Sequence, residues 1–581
     1  MTPPRFVLAA PKINGGHSAS SMQRAMHKIS DPKNALQPCL SLWSNGSETP
    51  PSRSPRELTI VGQINPKTDL MARVSHGLGE ARSGTGQDTD LFSAFWGSYV
   101  AIRSDPAAGL LEILRDPSGG MPAYFTETKT HFLVGSDLAA LDAAGAQTRL
   151  VSWDALYEHL AAPEVRRKRT CLAGISELAP GGALHIGTDE IGEDQLWSPW
   201  DYIEGRRQET VPVHPAALRE IICHSISAMA APFRNILIAV SGGLDSSILC
   251  AALAREECNF TCLTLATEDP SGDERRFAAT VAQATGADLK SFIYDPTLID
   301  LRRSSSAHLP RPVGKPFMQE VERAYSQLVE SQRFDAIFTG NGGDNVFCFL
   351  HSAAPIVDRF RSEGLGRGVA QTLIDACRIT DCDLVTMTRA ALRLLLRGPR
   401  AGRLDLSLLH PERSTESQSP RLTPHLDNPP SRLPGKIGHV DLLMKIQNFV
   451  EGLERTNSSQ VICPLLCQPI VEACLAVPAW KWSEHGVNRN FARQAFRDLL
   501  PESILTRVSK AGPDSVMAAV YQQNRETLRD QLLGGLLRKN RILDAPATEA
   551  ALSSSDTVRN HAFHRLLAFG EAEAWARSRS R

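Results

Sequence analysis

A short apolar run that leads into a glycine-rich loop and then a helix constrains the fold of this chain more than any other feature. Residues 235–240 read Asn-Ile-Leu-Ile-Ala-Val, and Ser241-Gly-Gly-Leu-Asp-Ser-Ser247 follows them directly. A continuous apolar run of this length predicts a strand that is covered on both faces, as in a parallel sheet. The residues after it predict a helix over 246–257. Together these features indicate the first unit of an α/β sheet, with the loop at the carboxyl end of its strand.

The same alternation continues along the chain. The sequence predicts a second strand at residues 260–267, a second helix at 273–285 that ends at Gly286, and a further buried strand at 334–339. This order predicts a doubly wound parallel sheet and an α/β fold. Helices dominate after it, and a Pro- and Ser-rich stretch predicts a mobile loop at about 411–435.

The first part of the chain has a different pattern. Strand-like runs at residues 99–103, 110–114 and 131–134 are separated by turn residues, which predicts an antiparallel layered domain. A chain of 581 residues is also too long for one ordinary core. We therefore expect two domains, residues 1–205 and residues 206–581, and we expect part of the polar stretch at 11–55 to be mobile.

Composition argues against several classes of function. The formal net charge of -1 gives no electrostatic case for nucleic acid or an acidic membrane surface as a partner. The short basic run at 166–169 is interpreted as a solvated face. No apolar run approaches the ~18 residues that span a bilayer. The 12 cysteines form no CxxC pair and are typical of buried free thiols, so we expect a cytoplasmic protein.

The loop that follows residues 235–240 has the composition of a phosphate cradle. Gly242 and Gly243 allow the main chain to approach an anion closely, and the start of the next helix presents free N–H groups to that anion. Asp245 would repel a bare phosphate, so its presence indicates a bridging cation such as Mg²⁺. Three hydroxyl groups of the same loop add hydrogen-bond donors: Ser241, Ser246 and Ser247.

Two further loops could contribute to the same chemistry. Thr339-Gly-Asn-Gly-Gly-Asp-Asn345 follows the strand at 334–339 and supplies a second carboxylate, Asp344. Carboxylates at the ends of two parallel strands could share one or two Mg²⁺ ions on the phosphates of a nucleotide. Near the C-terminus, Lys510 precedes Ala-Gly in a polar loop. A lysine there could reach a developing phosphate charge or could lie on the surface, and both readings stay open.

These three blocks, in this order, resemble the asparagine synthetase family and its ATP-pyrophosphatase domain over roughly residues 213–515. The resemblance implies that Asp245 and Asp344 bind Mg²⁺ and that Lys510 stabilises charge during adenylation and attack. It implies that the first loop holds the phosphates of ATP through Ser241, Gly242, Gly243 and Ser246. It also implies that adenosine is held by the main chain near Ala239, Leu265 and Gly340.

A weaker resemblance covers residues 91–141. Phe95-Trp-Gly-Ser-Tyr99, Arg115-Asp-Pro-Ser-Gly119 and Pro122-Ala-Tyr124 look like the glutamine amidotransferase layer of that family. This implies an Ntn-type αββα domain in front of an adenine nucleotide alpha-hydrolase (PP-loop) domain. The family's layer uses an N-terminal cysteine as its nucleophile. Thr2 stands at that place here and the first cysteine is Cys39, so we expect no glutaminase activity.

Two departures from the family pattern argue against free aspartate as the substrate. The family carries an acidic residue where this chain has Asn341, and an aspartate where it has Cys467. Segments such as His308-Leu-Pro-Arg-Pro312 and Pro464-Leu-Leu-Cys-Gln-Pro469 instead resemble the lasso peptide cyclases, which belong to the same family. That resemblance implies a substrate-binding role for Asn341, Arg311, Arg489 and Arg493.

The leading hypothesis is therefore a lasso-type macrolactam synthetase. The resemblance implies that it adenylates an Asp or Glu side chain of a ribosomal precursor peptide, and that the peptide's N-terminal amine then closes the ring. It also implies a leader peptidase and a leader-binding protein as partners. Two alternatives stay open. One is an ammonia-dependent asparagine synthetase or another small-molecule amide ligase, such as a β-lactam synthetase-like enzyme. The other is a catalytically silent scaffold that binds a partner peptide, against which the retention of Asp245 and Lys510 argues.

Overall fold

The computed structural model describes residues 5–11, 57–67, 91–105, 110–187, 191–203, 214–266, 273–399, 404–416, 429–451, 459–507, 514–554 and 556–580. Most of the predicted mobile stretch at 11–55 lies outside these ranges, and so does the boundary that we expect at 205/206. Residues 417–428 of the predicted loop at 411–435 lie outside them too. The two ends of that loop are helical instead, because Pro411–Glu416 forms a helix and Pro434 begins the next one. Proline at the first helical position has no N–H that would need a partner.

The N-terminal half contains two antiparallel sheets. Its strands are β1 (Val7–Pro11), β2 (Glu57–Pro66), β3 (Phe95–Asp105), β4 (Leu110–Arg115), β5 (Tyr124–Glu127), β6 (His131–Gly135), β7 (Ile175–Glu177), β8 (Gly182–Ile186) and β9 (Ile191–Gln195). One sheet has the order β1-β6-β5-β7 and the other has the order β2-β3-β4-β8-β9. The three strands that the sequence predicts here, at 99–103, 110–114 and 131–134, are confirmed.

The two sheets pack face to face. Leu8 of β1 and Val134 of β6 contact a buried cluster that includes Val100 of β3 and Ile113 of β4. Side chains alternate along a strand, so Tyr99 and its odd-numbered neighbours in β3 point to the opposite face of the second sheet, away from this cluster.

Helical layers cover both outer faces in the described part of the chain. The helices of the N-terminal half are α1 (Leu91–Ala94), α2 (Leu138–Ala143) and α3 (Trp153–Ala161). Leu141 and Leu156 of α2 and α3 pack on the first sheet. The outer face of the second sheet, which includes Tyr99, shares a core with Leu218 and Ile470 of the C-terminal half. The N-terminal layers are thus completed by helices from the other half of the chain.

The C-terminal half is built on a five-stranded parallel sheet. Its strands are β10 (Ile236–Ala239), β11 (Phe260–Ala266), β12 (Asp288–Ile293), β13 (Ala336–Thr339) and β14 (Gln460–Ile462), in the spatial order β12-β11-β10-β13-β14. Every neighbouring pair is parallel, as the sequence predicts. The order reverses direction beside β10, which places the crevice of the sheet between the loops after β10 and β13.

Helices lie on both faces of this sheet and continue to the C-terminus. They are α4 (Pro215–Ala230), α5 (Leu244–Arg255), α6 (Arg275–Thr285), α7 (Met318–Gln332), α8 (Gly343–Val346), α9 (Ala354–Glu363), α10 (Arg367–Thr380), α11 (Leu384–Arg397), α12 (Pro411–Glu416), α13 (Pro434–Ile446), α14 (Gln468–Ala476), α15 (Asn490–Ala495), α16 (Glu502–Leu505), α17 (Asp514–Gln523), α18 (Arg525–Leu533), α19 (Leu536–Lys539), α20 (Ala545–Ser553) and α21 (Phe563–Arg579). Gly286 caps α6 in the left-handed conformation, as predicted. None of the helices that the structure describes is both long enough and apolar enough to cross a membrane.

His439 links the sheet crevice to α13, and its burial gives a pH-dependent prediction. Its ring is fully buried and its Nε2 lies 2.8 Å from the carbonyl oxygen of Val346, at the end of α8. Burial, together with the charge of Lys436, lowers the pKa of His439 to about 3. In the unfolded chain the ring takes up a proton near pH 6.5. The unfolded state therefore binds more protons below that pH, and the stabilising contribution of neutral His439 is lost as the pH falls.

We expect His439→Gln to cost stability at pH 8 and to cost progressively less on acidification. The difference in free energy of unfolding between the wild type and the variant should narrow by about 1.4 kcal/mol per pH unit below pH 6.5. Urea unfolding at pH 8, 6.5 and 5 measures this difference. A gap that stays constant from pH 8 to pH 5 would contradict the prediction.

Candidate active site

The two glycine-rich loops lie side by side at the carboxyl edge of the parallel sheet. Ala239 of β10 is in register with Thr339 of β13, so both loops leave the sheet at the same level. A Cβ atom built on Gly340 would stand 2.8 Å from the main-chain nitrogen of Ser246. No real Cβ makes such a contact, so glycine at this position is what lets the second loop approach the start of α5.

The first loop turns sharply before α5. Gly242 has φ +65°, and a Cβ there would lie 2.2 Å from the Cβ of Phe277 in α6. Ser247 Oγ donates a hydrogen bond of 2.8 Å to the carbonyl oxygen of Gly243, and Ser246 Oγ donates one of 3.3 Å to the same atom. These two hydroxyls therefore shape the loop in this state. The loop leads directly into α5, and the N-terminus of a helix is the end that favours an anion.

The two predicted metal-binding carboxylates converge on one cationic group. Arg489 Nη1 lies 3.1 Å from Asp245 Oδ1, and the same nitrogen forms an ion pair with Asp344. Asp245 is 6% exposed, whereas the side chain of Asp344 is 44% exposed. A Cβ on Gly343 would stand 2.3 Å from the carboxyl carbon of Asp245, so the second loop also fixes the position of that side chain.

This arrangement fits a divalent cation on a nucleotide. Carboxylate oxygens are the ligands that Mg²⁺ takes from proteins, usually one or two of them beside phosphate oxygens. Asp245 and Asp344 are close enough that one guanidinium nitrogen of Arg489 pairs with both carboxylates. The guanidinium group of Arg489 also lies over the ring of Phe349, 5.0 Å from its centroid. Arg489, predicted to bind substrate, thus lies beside the two predicted metal-binding carboxylates.

Arg493, also predicted to bind substrate, is engaged with the main chain. Its guanidinium donates to the carbonyl oxygens of Leu505 at 2.5 Å, of Arg507 at 3.0 Å and of Asn488 at 2.8 Å. Burial and the charge of Arg489 lower the pKa of Arg493 to about 10, so it remains a cation near neutral pH. In this structure Arg493 ties the segment that carries Arg489 to the segment that carries Arg507.

Arg507 lies beside the first loop, and the sequence predicts no role for it. Its Nη1 donates a hydrogen bond of 3.0 Å to the carbonyl oxygen of Ser241, and its Nη2 forms an ion pair with Glu274. Its guanidinium also lies 3.9 Å from the centroid of the Phe277 ring. Arg507 therefore holds the first loop against the start of α6 through two polar contacts and one aromatic contact.

We expect Arg507→Ala to weaken the binding of a non-hydrolysable ATP analogue with Mg²⁺ by about 10- to 100-fold, which corresponds to one lost charged hydrogen bond. Isothermal titration calorimetry measures the change. Arg367→Ala provides a control, because Arg367 is an exposed residue at the start of α10. Unchanged affinity in Arg507→Ala would show that the loop holds its shape without these contacts.

The other predicted site residues divide into three groups. Ala239, Leu265 and Gly340 lie at the carboxyl ends of adjacent strands, where the resemblance implies adenosine. Asn341 is exposed beside them. Arg311 is 3% exposed and pairs with Glu177 of the N-terminal half, so the structure does not bring it to the two loops. Lys510 lies outside the described residues, and its role stays a prediction.

Comparison with known families separates the same two parts of the chain. A family model described as asparagine synthase matches residues 217–577, which is more than half of the chain, and a glutamine amidotransferase domain model matches residues 81–197. The chain therefore combines an Ntn-type glutamine amidotransferase-like layer with an asparagine synthase-like α/β domain. No curated protein matches the chain.

Two solved structures show partial similarity. Glutamine phosphoribosylpyrophosphate amidotransferase from B. subtilis, complexed with ADP and GMP, is 11% identical with a TM-score of 0.18, and the match covers 50% of this chain and 75% of that one. A structure titled as the allosteric regulatory enzyme of purine biosynthesis is 12% identical with a TM-score of 0.19, over 52% and 76% of the two chains. TM-scores at this level support no conclusion about function.

Proposed function

Because this chain belongs to the asparagine synthase family and is thus an ATP-dependent amide-forming ligase, we propose that it is a lasso peptide cyclase of the cytoplasm. In this proposal the side-chain carboxylate of an Asp or Glu in a ribosomal precursor peptide becomes an acyl adenylate, with release of pyrophosphate. The N-terminal amine of the same peptide attacks the acyl carbon, AMP leaves, and an isopeptide bond closes the ring. A leader peptidase and a leader-binding protein prepare the peptide.

The observation that carries this proposal is that Asn341 is neutral and that two of its hydrogen-bond partners are neutral. Its Nδ2 donates a hydrogen bond of 3.3 Å to the carbonyl oxygen of Phe449, and its main-chain nitrogen donates one of 3.4 Å to Thr339 Oγ1. Within the described residues, these partners of Asn341 carry no charge. Free aspartate brings an ammonium and two carboxylates, and charged groups are costly to desolvate without counter-charges. A peptide segment brings neutral amides beside its one reacting carboxylate.

The second departure from the family pattern, Cys467 in place of an aspartate, also supports a peptide rather than free aspartate as the substrate. Cys467 is 1% exposed and belongs to a core cluster with Leu466 and Ile470. Burial raises the pKa of its thiol to about 12, so it is neutral. Cys467 therefore supplies no charge for the recognition of an amino-acid ammonium group.

The source of the attacking amine also supports a peptide substrate. The residues that lead into β1, from Thr2 to Phe6, include no cysteine, and a glutaminase of this kind depends on such a thiol at that strand. A peptide that carries its own amine needs no ammonia. Holding the amine and the acyl adenylate together gives effective molarities of roughly 10⁵ M and above.

Each part of the site has a role in the proposed reaction. The loop from Ser241 to Ser247 and the N-terminus of α5 would hold the phosphates, and Arg507 would keep that loop in place. Asp245 and Asp344 would hold Mg²⁺, which neutralises negative charge on the phosphates when it is bound. Lys510 would stabilise charge in adenylation or in the attack of the amine.

Intact-mass analysis of the peptide and chromatography of the nucleotides test the proposal. The protein is incubated with ATP, Mg²⁺ and a synthetic core peptide, with the leader peptidase and leader-binding protein added where the full precursor is used. We expect the peptide to lose one water, and AMP and pyrophosphate to form in equal amounts.

A matched incubation replaces the peptide with aspartate and ammonium. Asparagine and AMP in this incubation, with the peptide unchanged in the first, would overturn the cyclase proposal and leave an ammonia-dependent asparagine synthetase. A peptide variant with Asn or Gln at the acceptor position controls for ATP hydrolysis that is not coupled to ring closure.

A further inference from the structure

A cluster of buried charges lies where the two halves of the chain meet. We call it the interdomain cluster, and its residues are Arg115, Tyr124, Arg166, Glu177, Arg311 and Glu451. The five charged side chains are 0–6% exposed, and Tyr124 is 2% exposed. Arg166 belongs to the basic run at 166–169 that the sequence indicates as a solvated face, and that interpretation is wrong for this residue. Its positive charge can be buried because two carboxylates, those of Glu177 and Glu451, accept hydrogen bonds from its guanidinium group.

Each carboxylate of the interdomain cluster is shared between the halves. Glu177 receives hydrogen bonds from Arg115 at 2.7 Å and from Arg311 at 2.6 Å, and it pairs with Arg166. Glu451 of the C-terminal half accepts from the Tyr124 hydroxyl and from Arg166. Burial by itself would raise the pKa of Glu451, but Arg166 and the neighbouring arginines hold that pKa below its ordinary value. Glu451 is therefore a carboxylate whose position depends on partners from the N-terminal half.

The residues just before Glu451 are held from the same side. Gln447 Nε2 donates a hydrogen bond of 3.1 Å to the carbonyl oxygen of Ser118, and Asn448 Nδ2 donates one of 3.0 Å to that of Pro163. The carbonyl oxygen of Phe449 accepts the 3.3 Å hydrogen bond from Asn341. The segment 447–451 is thus fixed to the N-terminal half at three of its residues and touches the candidate active site through a fourth.

We propose that the N-terminal half acts as a positioning element for the synthetase site, with Tyr124 and Glu451 as positioning residues. The Tyr124 hydroxyl holds the Glu451 carboxylate, Glu451 holds the segment 447–451, and this segment holds Asn341 and the loop that carries Asp344. The inference rests on the proposed function where it concerns peptide turnover. It gives the amidotransferase-like half a role that requires no glutamine hydrolysis.

Single-atom variants separate this role from general stability. Tyr124→Phe removes only the hydroxyl that donates to Glu451, and Glu451→Gln keeps the shape of the side chain while removing its charge. Tyr157→Phe is the matched control. Its hydroxyl also donates across the two halves, to the carbonyl oxygen of His410 at 3.3 Å, but it lies outside the interdomain cluster.

Hydrogen–deuterium exchange of the full chain provides the first readout. In Tyr124→Phe and Glu451→Gln we expect faster exchange in the fragments that contain residues 447–451 and 339–345. Exchange in β11 and in α21 should stay unchanged, and Tyr157→Phe should match the wild type throughout. This readout needs neither peptide nor nucleotide, so it tests the positioning role even if no peptide is cyclised.

Steady-state kinetics provides the second readout. We expect kcat for the core peptide to fall about tenfold in Tyr124→Phe, as for one lost charged hydrogen bond, with KM for ATP unchanged. Faster exchange confined to 447–451, with 339–345 and kcat at wild-type values, would overturn the inference and leave the interdomain cluster as a structural contact between halves. Equal effects of Tyr157→Phe would overturn it as well.

Discussion

Asp245→Asn is expected to reduce the rate of AMP formation by about 10²- to 10³-fold, the usual cost of losing one preorganised electrostatic group. Asp245 lies in the first turn of α5 and is 6% exposed, so bulk water screens its charge poorly. It shares Arg489 with Asp344, which shows that both carboxylates reach the same position. Asparagine preserves the shape of the side chain but removes the charge that would hold Mg²⁺.

Asp335→Asn is the matched control for this experiment. Asp335 precedes β13 at the opposite edge of the same sheet, where its carboxylate accepts from the main-chain nitrogen of Arg234 at 2.8 Å. Rates of AMP formation are measured at several Mg²⁺ concentrations, and thermal midpoints show that each variant is folded. An Asp245→Asn variant within a few-fold of wild type at low Mg²⁺ would contradict a metal-binding role for this residue.

The fold could be predicted largely because its signals are local. The runs at 235–240 and 334–339 are mostly apolar, and the structure confirms them as β10 and β13. Each observed strand is two residues shorter than predicted: β10 lacks one residue at each end, and β13 lacks two at its start. The left-handed Gly286 that ends α6 is equally local. The convergence of Asp245 and Asp344 follows from topology, because neighbouring parallel strands end at one edge.

The cationic side chains of the site could not be placed in the same way. The resemblance implies the same substrate-binding role for Arg489, Arg493 and Arg311, yet one pairs with the carboxylates, one donates to main-chain carbonyls and one lies in the interdomain cluster. The partners of Arg489 and Arg311 are far away in the chain, so no periodicity of the sequence indicates them. Arg166 is the clearest case. A run of basic residues indicates a solvated face, but the Arg166 side chain is buried. It forms ion pairs with two carboxylates, Glu177 and Glu451.

Gly343→Ala is expected to inactivate the enzyme nearly as strongly as the loss of Asp245, although it changes no charge. The added Cβ would stand 2.3 Å from the carboxyl carbon of Asp245, and Asp245 cannot move away without losing its place opposite Asp344. A misplacement of about 1 Å in a reacting constellation costs about 10²-fold in rate. Gly366→Ala is the control, because its Cβ would meet nothing within 4 Å and its φ is extended. Rates of AMP formation and the affinity for a non-hydrolysable ATP analogue with Mg²⁺ are compared in both variants. If Gly343→Ala keeps wild-type rates, the carboxylate of Asp245 is free to move, and the close contact between the two loops is not what positions it for catalysis.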